Sequence, residues 1–275
     1  MSRLFSSNII STTGKKTLQN RAFIVLLCTL FVCYLLMLNQ HINLAAFRLI
    51  NDNSPEISPW LQWVITDLGN GVTLGAVMLC CLIKRPELTP RVLCASILSL
   101  ALLPLLKQYF DAPRPAAVLD ILNVVGEVRT QHSFPSAHSS SAFLFAGTLM
   151  LAGQFSRYLW LFILMASMAA VSRVLVGAHW PIDVVAGAMT GLSCAYFASH
   201  VPLVRLPKNA ILIIFSVILV TLISCELSES MDKNIIWQVI VMRWSVIGLA
   251  SILLVPELKR YFYIERKQRG VIPSL

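Results

Sequence analysis

Charge is scarce in this chain. Asp, Glu, Lys and Arg make up 13% of its 275 residues, against about 25% in soluble domains. So few charges cannot cover a water-facing surface, and a soluble globular protein is excluded. Acids are the scarcer sign, 13 against 22 Lys and Arg. No carboxylates stand at metal-ligand spacing, so neither a metal nor any other cofactor is expected. The seven cysteines form no C-x-x-C pair and no His/Cys group. They read as small apolar packing residues rather than redox or zinc ligands. A phosphate loop is also lacking. Ser11-Thr12-Thr13-Gly14-Lys15-Lys16-Thr17 has no first glycine and no strand before it.

What the chain has instead is apolar length. Hydrophobic residues make up 57% and mean hydropathy is +0.74. Apolar stretches cover 22–40, 64–83, 92–106, 139–154, 158–176, 182–200, 209–224 and 236–255. A span needs about 20 residues. The reading is an all-α integral membrane protein, a bundle of about eight transmembrane helices. The first stretch is too long for a cleaved signal peptide and no small-residue cleavage site follows it. Residues 1–21 form a polar, basic tail expected to be partly irregular, 22–205 the membrane core, and 206–275 the two further helices and a basic tail. Within these parts, Trp60 and Trp63 suit an interfacial belt. Asp67, Gly69 and Gly71 read as a helix kink or as lining of a site. Residues 111–135, with Asp120, Glu127, Arg129 and His132, form the longest connector, either a cover over a site or a solvated link. Arg243 lies within the last apolar stretch and is expected to pair with Glu226 or Glu229 or to snorkel.

The positive-inside rule sets the orientation. With the N-terminus in the cytoplasm, 15 of the 22 Lys and Arg fall inside, six outside, and Arg243 within a span. Ten acids fall outside, against Glu87, Glu257 and Glu265 inside. The net charge of +9 is then a topology signal with some attraction to anionic lipid heads. It is not a nucleic-acid footprint.

Three sequence blocks carry chemistry. Lys107 is followed by Arg114-Pro115. Phe134-Pro135-Ser136-Ala137-His138 comes next, then Ser172-Arg173 with His179 six positions and Asp183 ten positions beyond the arginine. Pro181 suits the first turn of a helix, which puts His179 and Asp183 one turn apart on one face. A carboxylate there holds one imidazole nitrogen protonated and leaves the other free as a nucleophile. Taken alone, the pair reads equally as a helix-end hydrogen bond, Lys107 and Arg114 as interfacial anchors, and His138 as a capping residue. The orientation sets all three blocks at the outer ends of four spans, where they converge. His41, His132 and His200 have no partner at a useful spacing.

Together the blocks resemble the motif set of the type 2 phosphatidic acid phosphatase superfamily, K-x6-R-P, P-S-G-H and S-R-x5-H-x3-D. Ala137 replaces the usual glycine. The resemblance covers Lys107–Asp183 in motif and about 22–200 in helix layout. It implies metal-free phosphoryl transfer through a phosphohistidine. His179 would be the nucleophile, Asp183 its orienting partner and His138 the acid and base. Lys107, Arg114, Ser136, the N–H of Ala137 and Arg173 would bind the phosphate. Alanine at 137 permits that N–H contact only where the backbone is near-helical.

The expectation is a phosphatase of the bacterial inner membrane, its site facing the periplasm or exterior. Its substrates would be lipid phosphates or diphosphates such as undecaprenyl diphosphate, phosphatidylglycerol phosphate, phosphatidic acid or lipid A. The partner is a membrane lipid, not nucleic acid, and homo-oligomerisation stays open. One rival is a phosphotransferase moving phosphate from a polyprenyl diphosphate to lipid A. Another is a lipid transporter or flippase, which would place its ionisable residues near mid-bilayer.

Overall fold

The computed structural model describes residues 2–153, 158–232 and 235–268, with side chains between 20 and 263 apart from 154–157 and 231–234. Arg157, Lys233 and Arg269, counted in the charge asymmetry, lie outside the described residues. Among those described there are ten α-helices and no strand. The helices are α1 (Ser2–Met37), α2 (Gln40–Asn51), α3 (Pro59–Asp67), α4 (Gly71–Lys84), α5 (Thr89–Phe110), α6 (Ala137–Ala152), α7 (Leu159–Leu175), α8 (Pro181–Ser199), α9 (Lys208–Asp232) and α10 (Trp237–Gln268).

The all-helical membrane architecture is as expected, with three differences in detail. First, the basic N-terminal stretch is not irregular. α1 begins at Ser2, and the sequence up to Arg21 holds no proline to break it. Second, the apolar stretch 64–83 is not one helix. α3 and α4 form a bent pair. Leu68, Gly69 and Asn70 donate to the carbonyls of Ile65, Thr66 and Asp67, three-residue closures that tighten a last turn and end it. Third, among the described residues five helices are long and apolar enough to cross a membrane, six with the bent pair. α6 and α7, expected as full spans, have 16 and 17 residues. At 1.5 Å per residue they reach about 24–26 Å, short of a hydrocarbon core of roughly 30 Å. Non-helical segments flank both helices on the side of the three blocks. Within these segments Ser133, Ser136 and His179 are buried.

The chain divides into two compact units, Met1–Gly71 with Pro90–Pro202, and Val72–Thr89 with Leu203–Leu275. All three sequence blocks fall in the first. At its centre α6 packs on α8. A Cβ added at Gly191 would lie 2.1 Å from the Ser140 carbonyl oxygen, and one at Gly187 2.3 Å from that of Ser136. The two helices therefore meet backbone to backbone, the small-xxx-small packing that dispersion favours in lipid. Ala95, Leu144, Cys194 and Ala198 continue this contact toward α5. α1 lies along α8, with Phe23 stacked on Tyr196 at 6.0 Å.

In the second unit Arg243 on α10 is buried. Its Nη1 donates to Glu226 Oε2 at 2.9 Å and Glu229 Oε2 at 2.8 Å on α9. It pairs with both expected partners rather than one. The cysteines are all free, and Cys28 and Cys225 lie exposed on their helices rather than packed inside.

Candidate active site

Four helix ends of the first unit meet. The N-terminus of α8 is the anchor. Pro181 starts it, and Asp183 Oδ2 accepts the N–H of Trp180 at 2.9 Å. Asp183 thus closes the helix end, and the same oxygen lies 3.5 Å from His179 Nδ1. The helix-end reading of the H-x-x-x-D pair holds, and the same carboxylate also faces the imidazole. His179 follows Gly177, whose φ of +70° turns the chain. A Cβ on Gly177 would lie 2.3 Å from the Asn123 carbonyl oxygen, so only glycine fits this turn. The amides of Ala178 and His179 donate back to the Arg173 carbonyl at 3.0 and 3.1 Å. His179 and Asp183 are 3% and 2% exposed.

His179 sits in the turn between α7 and α8. Burial, and after it the charges of Arg173, Arg114 and Lys107, hold its imidazole well below the ordinary histidine range. The ring is neutral at pH 7, with a lone pair on one nitrogen.

The cations are held by polar groups of the chain. Arg173 Nη1 donates to Thr66 Oγ1 at 2.6 Å. Lys107 Nζ donates to the His132 carbonyl at 2.7 Å, and Arg114 Nε to that of Gln131 at 2.9 Å. Arg114 Nη1 reaches the Ala178 carbonyl at 3.1 Å, beside His179. Two donors remain over. Ser136 Oγ and Arg173 Nε are buried without a hydrogen-bond partner. Ser136 is the N-cap of α6, and Ala137 is its first residue, so the near-helical backbone that alanine needed at 137 is present. His138 lies in the first turn of α6, against the break after α3. A Cβ at Gly69 would be 3.0 Å from His138 Cβ. The segment 67–71 is therefore both a kink and a neighbour of the site.

The connector 111–135 is tied down by hydrogen bonds, although residues 126–132 are exposed. Thr130, Gln131 and His132 offer their carbonyls to the Arg114 amide, Arg114 Nε and Lys107 Nζ, and the Ser133 amide donates to Ala112. Asn51, fully buried, bonds the Asn123 carbonyl at 2.8 Å and that of Leu175 at 3.0 Å. His132, unassigned in the sequence, has its Nδ1 3.1 Å from Asp111 Oδ1.

Sequence reasoning missed Ser133, Asn43, Asn51, Thr66 and Asn123. Ser133 Oγ donates to Asp183 Oδ2 at 2.5 Å and lies 3.4 Å from His179 Nδ1. Asn43 Oδ1 accepts the Ile182 N–H. Ser133 stands directly before Phe134-Pro135, the only local signal available. Asn43, Asn51 and Thr66 stand in apolar or interfacial stretches far from the blocks and Asn123 in the connector, with no spacing to mark them.

Residues 89–206 match the family model described as PAP2 superfamily. YbjG of Escherichia coli is 31% identical over 162 residues, covering 56% of this chain and 79% of that protein. The chain belongs to the PAP2 superfamily. The undecaprenyl-diphosphatase of Sulfolobus acidocaldarius is 29% identical over 156 residues, covering 56% of this chain and 75% of that one. The crystal structure of Aquifex aeolicus LpxE superposes with a TM-score of 0.51 at 32% identity, over 57% of this chain and 94% of that one. This is a PAP2 lipid-phosphatase family member with membrane-spanning helices. The PAP2 match holds all three blocks, yet Asn43, Asn51 and Thr66 reach the site from outside it.

Proposed function

We propose that this protein hydrolyses lipid phosphates or diphosphates through a phosphohistidine, at the outer face of a bacterial-type inner membrane. The observation that carries the reading is a neutral, buried His179 among three cations, with Ser136 Oγ and Arg173 Nε buried and unpaired. Buried donors without acceptors are rare, and phosphate oxygens would satisfy them.

His179 attacks phosphorus with the nitrogen that faces away from Asp183, and the bond from phosphorus to the leaving oxygen breaks. His138 gives that oxygen its proton. Water then attacks the phosphohistidine and yields a proton to His138. The N–P bond breaks and phosphate leaves. Lys107, Arg114, Arg173, Ser136 and the Ala137 N–H at the start of α6 stabilise charge on the phosphoryl oxygens. The cations do the work that Mg²⁺ does elsewhere, and the described residues contain no group of His, Cys, Asp and Glu arranged to hold a metal.

A lipid diphosphate such as undecaprenyl diphosphate is the first substrate to test, because the name of the Sulfolobus relative points there. Phosphatidylglycerol phosphate, phosphatidic acid and lipid A complete the panel. Purified protein in EDTA is incubated with each, and free phosphate, transferred phosphate and acid-labile phosphoenzyme are measured. Release in chelator with a phosphoenzyme absent from His179→Ala is expected. A strict requirement for added metal, or phosphate retained on another residue in His179→Ala, sinks the mechanism. Transfer to a lipid acceptor in place of release assigns the protein to the phosphotransferases.

A further inference from the structure

In the sequence motif the nucleophile has one orienting partner, the carboxylate four residues on. The geometry is different. Asp183 Oδ2 already accepts the Trp180 N–H at 2.9 Å and the Ser133 hydroxyl at 2.5 Å, while His179 Nδ1 stands 3.5 Å away. The Ser133 oxygen is about as near to Nδ1, at 3.4 Å. Ser133 is fully buried, so no bulk water competes for its one proton and two lone pairs.

We propose that Ser133 is a positioning residue for the nucleophile, its hydroxyl donating to Asp183 and accepting the Nδ1–H of His179, so that carboxylate and hydroxyl together fix the ring. This rests on the phosphohistidine reading above. A protonated Nδ1 held at two oxygens leaves Nε2 as the free lone pair and fixes the ring plane. Hydrogen bonds of this kind are long in an unliganded site and tighten as charge develops on the ring.

The placement of Ser133 gives the bond a second consequence. Its amide donates to Ala112 at 2.8 Å, and the three residues before it hold Arg114 and Lys107. Ser133 is thus the last residue of the segment that holds two phosphate-binding cations, and its side chain touches the nucleophile's partner. One strand of connector sets both the anion pocket and the direction of attack. A connector displaced at 130–133 would loosen the cations and the imidazole together.

The test uses the full-length protein with Ser133→Ala, Ser133→Thr and, should the alanine variant fail to fold, Ser133→Cys. A hydrogen bond to a charged group contributes on the order of 10- to 100-fold. Ser133→Ala should slow phosphoenzyme formation in a single turnover by about that factor, with KM changed less than kcat. Ser133→Thr, which keeps the hydroxyl, should recover most of the rate. The charged groups facing His179 are Asp183 on α8, Arg173 on α7, Arg114 on the connector and Lys107 on α5. Without the hydroxyl between them, the Asp183 charge acts on the ring more directly. The acid limb of kcat/KM should then move to higher pH in Ser133→Ala, and stay in place in Ser133→Thr. Packing alone would leave that limb unmoved. A wild-type rate of phosphoenzyme formation and a wild-type pH profile in a folded Ser133→Ala or Ser133→Cys overturn the proposal. Absence of phosphohistidine from the wild type would instead overturn the reading beneath it.

Discussion

The Ser136 amide donates to the carbonyl oxygen of Asp183 at 3.0 Å. One backbone bond thus joins the second sequence block to the third, and sets the start of α6 against the first turn of α8. The contact exists because Gly187 and Gly191 leave α8 without side chains where α6 presses on it.

Gly191→Ala should therefore cost stability. A Cβ there meets the Ser140 carbonyl and the Leu144 amide, both backbone, so a helix must move. Overpacking of this sort costs about 1–3 kcal/mol. The melting temperature in detergent should fall and activity with it. Gly248→Ala is the control, since nothing lies within 4 Å of its added Cβ. Its melting temperature should hold or rise, as alanine is favoured over glycine in a helix by about 1 kcal/mol. Equal melting temperatures for the two variants would show that the α6–α8 contact is not tight.

The pH profile should show a neutral nucleophile. Burial and three cations lower the His179 pKa below the ordinary value of about 6.5, so the attacking nitrogen keeps its lone pair into mildly acid solution. The acid limb of kcat/KM should lie below that value. Arg173→Gln removes the largest of the three charge effects and should raise the limb, beside any loss of phosphate binding. Stability has the matching sign. The unfolded chain takes up a proton at this residue below pH of about 6.5 while the folded chain does not. The His179 contribution is intact above that pH and is lost progressively as pH falls toward the folded pKa. A limb above pH 7 in the wild type would contradict the arrangement.

Arg243→Ala should unfold more than it inactivates. It leaves Glu226, fully buried, without its cation, and breaking a buried pair in this way costs about 3–5 kcal/mol. A lower melting temperature with an unchanged ranking of lipid substrates is expected. An altered ranking at constant melting temperature would make Arg243 a head-group contact.

Reporter fusions check the orientation. Residues 120 and 178 should report the exterior, and 86, 206 and 265 the cytoplasm. A cytoplasmic report at 120 would reverse the membrane face assigned to the reaction.

The helices were legible because lipid allows little else. An apolar run in a bilayer must satisfy its own backbone, so composition alone names the element. The candidate site was legible from the spacing of the three blocks, which together bring Lys107, Arg114, Arg173 and His179 to span ends. What stayed hidden was neutral. Ser133, Thr66, Asn43 and Asn51 are small polar residues of kinds common in any helix or turn, and their partners are up to 139 residues away in sequence. The break between Asp67 and Gly71 was legible only as a kink, from Gly69 and Gly71, and not as a stop and restart. The glycines of α8 carried a spacing signal at 187 and 191, but without the partner helix it reads as ordinary helix tolerance.

The way the chain holds two of its cations has a thermodynamic consequence. Lys107 and Arg114 lean on backbone carbonyls rather than on carboxylates, so their side chains are aimed without being neutralised. A resident acid in their place would have to be displaced by each incoming phosphate. On the proposed reading the substrate itself would become the counterion, with little reorganisation before its arrival. A phosphate bound there, as proposed, would relieve the mutual repulsion of these cations. Inorganic phosphate should raise the melting temperature in proportion to the logarithm of its concentration once the site is saturated, and Lys107→Met with Arg114→Met should abolish that rise.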